Sequence, residues 1–166
     1  MITQEELKSL FDYDPNTGKF IRKVATTNSV KVGDIAGGLN QRGYVVIWTN
    51  GRSYLAHRLA WLYVYGEFPE LNIDHINHDI TDNRISNLRQ ATQLQNVWNS
   101  KIKNSSETGV KGVTKDKRKK STFYARCRVN GEHVYLGAFS TKEDAGKAYD
   151  DFARSLHGEF YSEQTR

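Results

Sequence analysis

The sequence contains a single cysteine, Cys127. One thiol cannot close an internal disulfide or supply a cysteine zinc site, so zinc-finger and zinc-ribbon explanations of any nucleic-acid binding fall away. A reducing, cytoplasmic setting is the expectation. Long apolar runs are also missing: the longest, Leu59 to Tyr65, is about a third of the length that crosses a bilayer. The first residues, Met1 to Glu6, lack the basic-then-apolar pattern of a secretory signal, so neither membrane association nor export is expected. Aromatic residues, by contrast, are plentiful. Nine Tyr, seven Phe and three Trp argue for a folded core although charged residues make up 26% of the chain. A length of 166 residues accommodates one larger domain or two small ones.

The net charge of +5 is unevenly distributed. Residues 1–99 hold ten basic and ten acidic side chains, whereas residues 100–166 hold fourteen and nine. Between Ser100 and Arg128, ten lysines and arginines face only Glu107 and Asp116. A patch of this kind suits a polyanion, although a charge run alone also fits a solvated linker.

Local patterns divide the chain further. Residues 3–12 read as a short helix, and Asp14-Pro15-Asn16-Thr17-Gly18 as a turn into a strand at Lys19 to Arg22. Asn50-Gly51, flanked by Tyr44 to Trp48 and Ser53 to Ala56, is a hairpin signal because both turn positions tolerate positive φ. His57 to Tyr65 reads as a buried helix closed by Gly66 and Pro69, with Trp48, Trp61 and Trp98 assigned to the core. From Asn72 to Asn99 the chain carries six asparagines plus Asp74, Asp79 and Asp82, the composition of a turn-rich loop. Ser86 is placed as the cap of a helix beginning near Asn87, with Leu88, Ala91, Leu94, Val97 and Trp98 inward. The aperiodic stretch 100–108 is the expected basic linker, separating a domain over 1–99 from one over 109–166.

In the last third, Phe123 to Val129 alternates as a strand. An Asn130-Gly131 turn sets Arg128 opposite His133 and Arg126 opposite Tyr135, giving one basic, aromatic face. The other face, with Ala125, Cys127, Val134 and Leu136, needs a cover. Ala145, Ala148, Tyr149, Phe152, Ala153 and Leu156 recur with helical spacing, between a Ser140/Glu143 capping box and Gly158. Cys127 is then a small core residue rather than a nucleophile.

Asp74-His75, Asn87 and Asn96 form a spaced set that a loop and a helix could fold together. A hard divalent cation prefers oxygen donors, such as the Asp74 carboxylate and the Asn96 amide oxygen, with most positions left to water and phosphate oxygens. A histidine with an ordinary pKa near 6.5 is largely neutral at pH about 8, so His75 could take a proton from an attacking water. The same residues also fit a turn arrangement. The segment HRLAWLYVYGEFPELNIDHINHDITDNRISNLRQATQLQNVWN, together with Tyr13, Thr17-Gly18, Gly43-Tyr44 and Ala56-His57-Arg58 upstream, closely resembles HNH endonucleases of the homing and phage-borne type. The resemblance covers about residues 13–99 and implies a ββα-metal nuclease fold. It implies His75 as general base, Asp74 and Asn96 as metal ligands, and Asn87 as the brace tying the His-bearing loop to the helix. Roles outside the chemistry are assigned to His57, as a core brace or phosphate contact, and to His78, in the loop. Arg84 and Arg89 fit either phosphate contact or solvated faces.

Residues Gly109 to Phe160 resemble the plant APETALA2/ethylene-response-factor DNA-binding domain. The residues carrying this are Val110-Lys111-Gly112-Val113, Ala125-Arg126-Cys127-Arg128, Tyr135 to Thr141 and Ala145 to Asp150. The resemblance implies a three-stranded antiparallel sheet packed on one helix, with the sheet entering the major groove, and makes Lys111, Lys115, Arg126, Arg128 and Tyr135 the DNA-contact candidates. Phe123 and Tyr135 stand where tryptophans are usual and Arg126 where an acidic residue is common, so no base preference carries over.

The expectation is an α+β, two-module DNA endonuclease of the phage-borne homing type. It would use one Mg2+ or Mn2+ per site, leave 5′-phosphate and 3′-hydroxyl ends, act on double-stranded DNA in the cytoplasm of a bacterial host, and need no small-molecule cofactor. A monomer with one such site would nick rather than cut both strands. The competing readings are a non-catalytic, sequence-specific DNA-binding regulator and an RNA binder that stacks bases on Tyr124 and Tyr135.

Overall fold

The structure, a computed structural model, describes residues 1–25, 27, 29–99, 107–119, 121–129 and 131–161. The chain forms two compact units, Met1–Leu94 and Gln95–Arg166. Most of the expected basic linker, Lys101 and Lys103 included, lies outside the described residues, as do Lys120 and Asn130 of the expected C-terminal domain.

In the first unit, Thr3 caps α1 (Gln4–Leu10) through a reciprocal capping box with Glu6. The helix stops before residue 12, because Phe11 opens β1 (Phe11–Asp14), in which Phe11 and Tyr13 are buried and Asp12 and Asp14 are not. Period-two burial overrides the helical reading there. The Asp14–Gly18 turn returns the chain to β2 (Lys19–Arg22), and β3 (Ile35–Ala36) completes a three-stranded sheet. A second antiparallel sheet comprises β4 (Gly38–Leu39), β5 (Val45–Thr49) and β6 (Arg52–Leu55). Asn50 and Gly51 join β5 to β6 with φ of 49° and 71°, the both-positive pattern that matches the twist of a tight hairpin. Trp48 is not a core residue. Alternation along β5 turns Ile47 and Thr49 inward and leaves Trp48 63% exposed.

Helix α2 (Ala56–Tyr65) buries Ala56, His57, Leu59, Ala60 and Leu62 against Leu7, Phe11, Phe20 and Ile47, and ends at Gly66 in the left-handed conformation. Next come β7 (Asn72–His75), a 3-10 turn (Ile85–Asn87), β8 (Leu88–Ala91) and α3 (Gln93–Trp98). The helix expected from Asn87 therefore begins six residues later. Leu88 and Ala91 have helical spacing, but Leu88–Ala91 is extended and pairs antiparallel with Asn72–His75, so tertiary pairing decides. The side chains of Leu94, Val97 and Trp98 lie outside the described residues.

In the second unit, β9 (Val113–Lys115), β10 (Phe123–Val129) and β11 (Glu132–Phe139) form an antiparallel sheet with β10 central. Helix α4 (Lys142–His157) covers one side, its Ala145, Tyr149 and Ala153 buried with Val113, Ala125 and Cys127. Its cap is Thr141 rather than Ser140: the Thr141 hydroxyl accepts from Asp144 N at 3.1 Å. Leu156, expected inside, lies in the last turn beyond Ala153 and is 43% exposed. Among the described residues, no helix is long and apolar enough to cross a membrane.

Candidate active site

The β7/β8 hairpin positions the Asp-His pair. Its register sets Asp74 opposite Arg89 and His75 opposite Leu88. Alternation sends the two adjacent side chains to opposite faces, so His75 goes into the protein while Asp74 meets Arg89. Arg89 acts through Nε at 2.9 Å and a terminal nitrogen at 2.8 Å, both on Asp74 Oδ2. A solvated face does not describe Arg89, because both side chains of the pair are largely buried. Arg84, which is exposed, pairs instead with Asp82, and that contact pulls the Asp82 carboxyl down to about 2.

His75 is buried, with its Nε2 3.3 Å from Asn83 Oδ1. The Asn83 amide NH2 donates to the Thr81 carbonyl, which fixes the amide oxygen toward the imidazole. An acceptor at that position selects the Nε2–H tautomer, so the neutral ring carries its basic lone pair on Nδ1. Asn83 is itself held, since its carbonyl accepts the Tyr13 hydroxyl at 2.7 Å. The His57 ring meets the His75 ring edge-on, centroids 5.1 Å apart at 89°, and Tyr44 packs against both histidines. Burial lowers the His75 pKa, an effect partly opposed by the Asn83 hydrogen bond and by Asp74, Asp79 and Asp82. His57 is pushed down to about 3 by burial and then by the neighbouring His75 and Arg58. Both rings are thus neutral near pH 7. His57, read from sequence as a core brace or a phosphate contact, packs edge-on against the ring of His75.

Asn87 is buried and clamps the loop that follows His75. Its Oδ1 accepts from Asn77 N, while its Nδ2 donates to Asn77 Oδ1 and to the Asp82 carbonyl, all within 2.9–3.0 Å. Its backbone carbonyl also receives Ile76 N at 3.0 Å. The bracing role inferred for Asn87 therefore has a geometry, but the clamp grips the loop from a 3-10 turn instead of joining it to a helix. His78 sits in that loop with φ 63°, a left-handed turn position.

Asn96 lies on α3, and its Oδ1 is buried without a hydrogen-bond partner. A buried orphan oxygen is the kind of atom a ligand would satisfy. The two expected ligands belong to different units, Asp74 to the first and Asn96 to the second. Among the described residues, no group of three or more His, Cys, Asp or Glu side chains could hold a metal.

In the second unit, Arg126 pairs directly with Tyr135 and Arg128 with His133, as the alternation predicts. Arg126 and Arg128 are exposed, and the Arg126 guanidinium lies over the Tyr124 ring, which neighbours Tyr135 at 6.2 Å. Two candidates are not on this face. Lys111 is partly buried near Cys127 and Asp150, where burial lowers its pKa. Lys115 pairs with Phe123, whose ring packs toward the helix, so it follows the helix side at the exposed strand end.

Sequence reasoning missed Asn83, Tyr44 and the Asp74–Arg89 pair. Nothing in spacing separates Asn83 from the other asparagines of the loop, and Tyr44 reaches the site only through tertiary packing. The Arg89 pairing was legible only if Leu88–Ala91 had been read as a strand.

Residues 54–97, the hairpin and most of α3 included, match the model of the HNH endonuclease family. Over 123 residues, 74% of this chain, the sequence is 32% identical to an uncharacterised HNH endonuclease of Acanthamoeba polyphaga mimivirus. The match spans 63% of that relative's length. A looser likeness is to a solved structure titled for DNA binding and cleavage by the HNH homing endonuclease I-HmuI, with TM-score 0.41 and 18% identity. It covers 83% of this chain and 76% of the other.

Proposed function

We propose that the protein is a metal-dependent DNA endonuclease that nicks duplex DNA through the Asp74-His75 hairpin and holds its substrate with the sheet of the second unit. The observation that carries the reading is the buried imidazole of His75, kept neutral by burial and oriented by Asn83, inside the segment that matches HNH endonucleases. His75 Nδ1 takes the proton of the attacking water. The charge that then develops on the ring is met by Asn83 Oδ1 at Nε2–H and by the acidic side chains nearby. Asn87 keeps the intervening loop from relaxing, and His57 and Tyr44 exclude water from the far side of the ring. Asp74 and Asn96 would hold a divalent ion, which supplies Lewis-acid stabilisation of the pentacoordinate phosphate and the departing 3′ oxygen. The P–O3′ bond breaks and the departing oxygen takes a proton from solvent, leaving 5′-phosphate and 3′-hydroxyl ends.

The second unit, by its resemblance to APETALA2-type domains, presents Arg126, Arg128 and Tyr135 to the major groove, whose width admits a β-ribbon. Relaxation of supercoiled plasmid at low salt and pH about 8 tests the whole reading. Wild type with Mg2+ or Mn2+ should produce open circles, chelator should stop the reaction, and His75→Ala should lower the rate about 10²–10⁴-fold. A His75→Ala protein that nicks like wild type overturns the assignment. Plasmid shifted in a gel but never cut would leave a DNA-binding regulator.

A further inference from the structure

Arg89 occupies an unusual position for a structural cation. It stands directly across the hairpin from Asp74, and both of its contacting nitrogens converge on Oδ2 of that carboxylate. With side chains only 10% and 14% exposed, the pair is poorly screened by solvent. A divalent cation approaching Asp74 then meets a guanidinium fixed on the same carboxylate. A phosphate diester brings further negative charge and competes with Asp74 for the guanidinium, since its planar fork binds phosphate as readily as carboxylate.

We propose that Arg89 is a positioning residue that keeps Asp74 from loading a divalent cation in the free protein and so ties metal binding to the arrival of DNA; this rests on the nuclease reading of Asp74. By linkage, metal then strengthens DNA binding by the same factor that DNA strengthens metal binding. The charge of Arg89, rather than its shape or hydrogen bonds, carries this role. Arg89→Gln keeps an amide able to reach Asp74 but removes the charge, whereas Arg89→Lys keeps the charge.

The experiment is a titration of Mn2+ read by the paramagnetic resonance of the free ion. It uses full-length wild type, R89Q, R89K and D74N, each with and without a 30-base-pair duplex of mixed sequence bearing non-hydrolysable phosphorothioate linkages. Without DNA, R89Q should bind Mn2+ about tenfold more tightly than wild type, because it removes a unit positive charge that repels a divalent ion at the same carboxylate. R89K should stay near wild type, and the gain in Mn2+ affinity on adding duplex should shrink in R89Q alone. Equal or weaker binding by R89Q, or an R89K that behaves like R89Q, overturns the role given to Arg89. D74N separates the two levels: if it binds Mn2+ like wild type, the assignment of Asp74 as ligand fails, whatever Arg89 does.

Discussion

His57 shows how one buried side chain ties stability to pH. In the folded protein it stays neutral down to about 3, whereas in the unfolded chain it takes up a proton near the ordinary 6.5. Between those values the unfolded state holds the extra proton. The stabilising contribution is therefore complete above pH 6.5 and is lost as pH falls toward 3. Urea unfolding should show the difference between pH 7 and pH 5 to be about 2 kcal/mol smaller in His57→Phe than in wild type. Identical pH dependences would mean that His57 is hydrated or partnered in solution. Asn83 makes the complementary case. Replacing it with leucine leaves a buried Nε2–H without an acceptor, and kcat should fall about 10- to 100-fold, the range for groups that orient a working histidine, while KM for duplex stays near wild type. Replacing it with aspartate stabilises the imidazolium and raises the His75 pKa, so the acid limb of the rate profile should move to higher pH. A fall in KM-controlled binding without any change in that profile would assign Asn83 a purely structural role.

At the level of elements, the turn between β1 and β2 supports the site from behind. Gly18 has φ 71°, and a Cβ there would lie 2.5 Å from Arg84 N and from the Asn83 carbonyl carbon. Gly18→Ala thus meets both a left-handed backbone, costing roughly 1–2 kcal/mol alone, and rigid main chain beside the residue that orients His75. Thermal melting should show destabilisation of at least that size, and nicking at a temperature where the variant is folded should still be reduced. Full activity of the folded variant would show that the turn yields without moving Asn83. The Asp14–Gly18 turn, the Asn50-Gly51 hairpin and the β10/β11 register were legible in the sequence because local chemistry dictates each: positive φ at Gly and Asn, and alternation with period two. The extension of Leu88–Ala91 was not legible, because residues 88 and 91 satisfy a helical spacing equally well and only pairing with Asn72–His75 decides. The site was half legible for the same reason. Asp74, His75 and Asn87 stand within one motif, whereas Tyr44, His57 and Asn83 converge through packing that no local pattern records.

At the level of the molecule, the proposed function divides its general base and its DNA-holding face between two units. His75 and its orienting groups are all in residues 1–94, and the exposed arginine and tyrosine face is in residues 95–166. Two weak binders joined in one chain act at an effective concentration of roughly millimolar, so removing contacts from the second should weaken capture without touching the chemical step. The double substitution Arg126→Ala with Arg128→Ala should raise KM for duplex and leave kcat at saturating DNA unchanged. If each arginine neutralises one phosphate, the slope of log affinity against log salt, measured by fluorescence anisotropy, should become shallower by about 2. An arginine bound to a guanine edge instead contributes discrimination of about 1–3 kcal/mol, which would appear as loss of preference among duplex sequences and a smaller change in slope. Lys111 provides the internal control, because it is partly buried near Cys127 and Asp150 rather than displayed beside Arg126. Lys111→Met should therefore leave the salt slope as it is in wild type. A Lys111 substitution that flattens the slope as much as the loss of Arg126 would mean that DNA approaches the helix side of the sheet, and the face carrying Arg126, Arg128 and Tyr135 would lose its assignment.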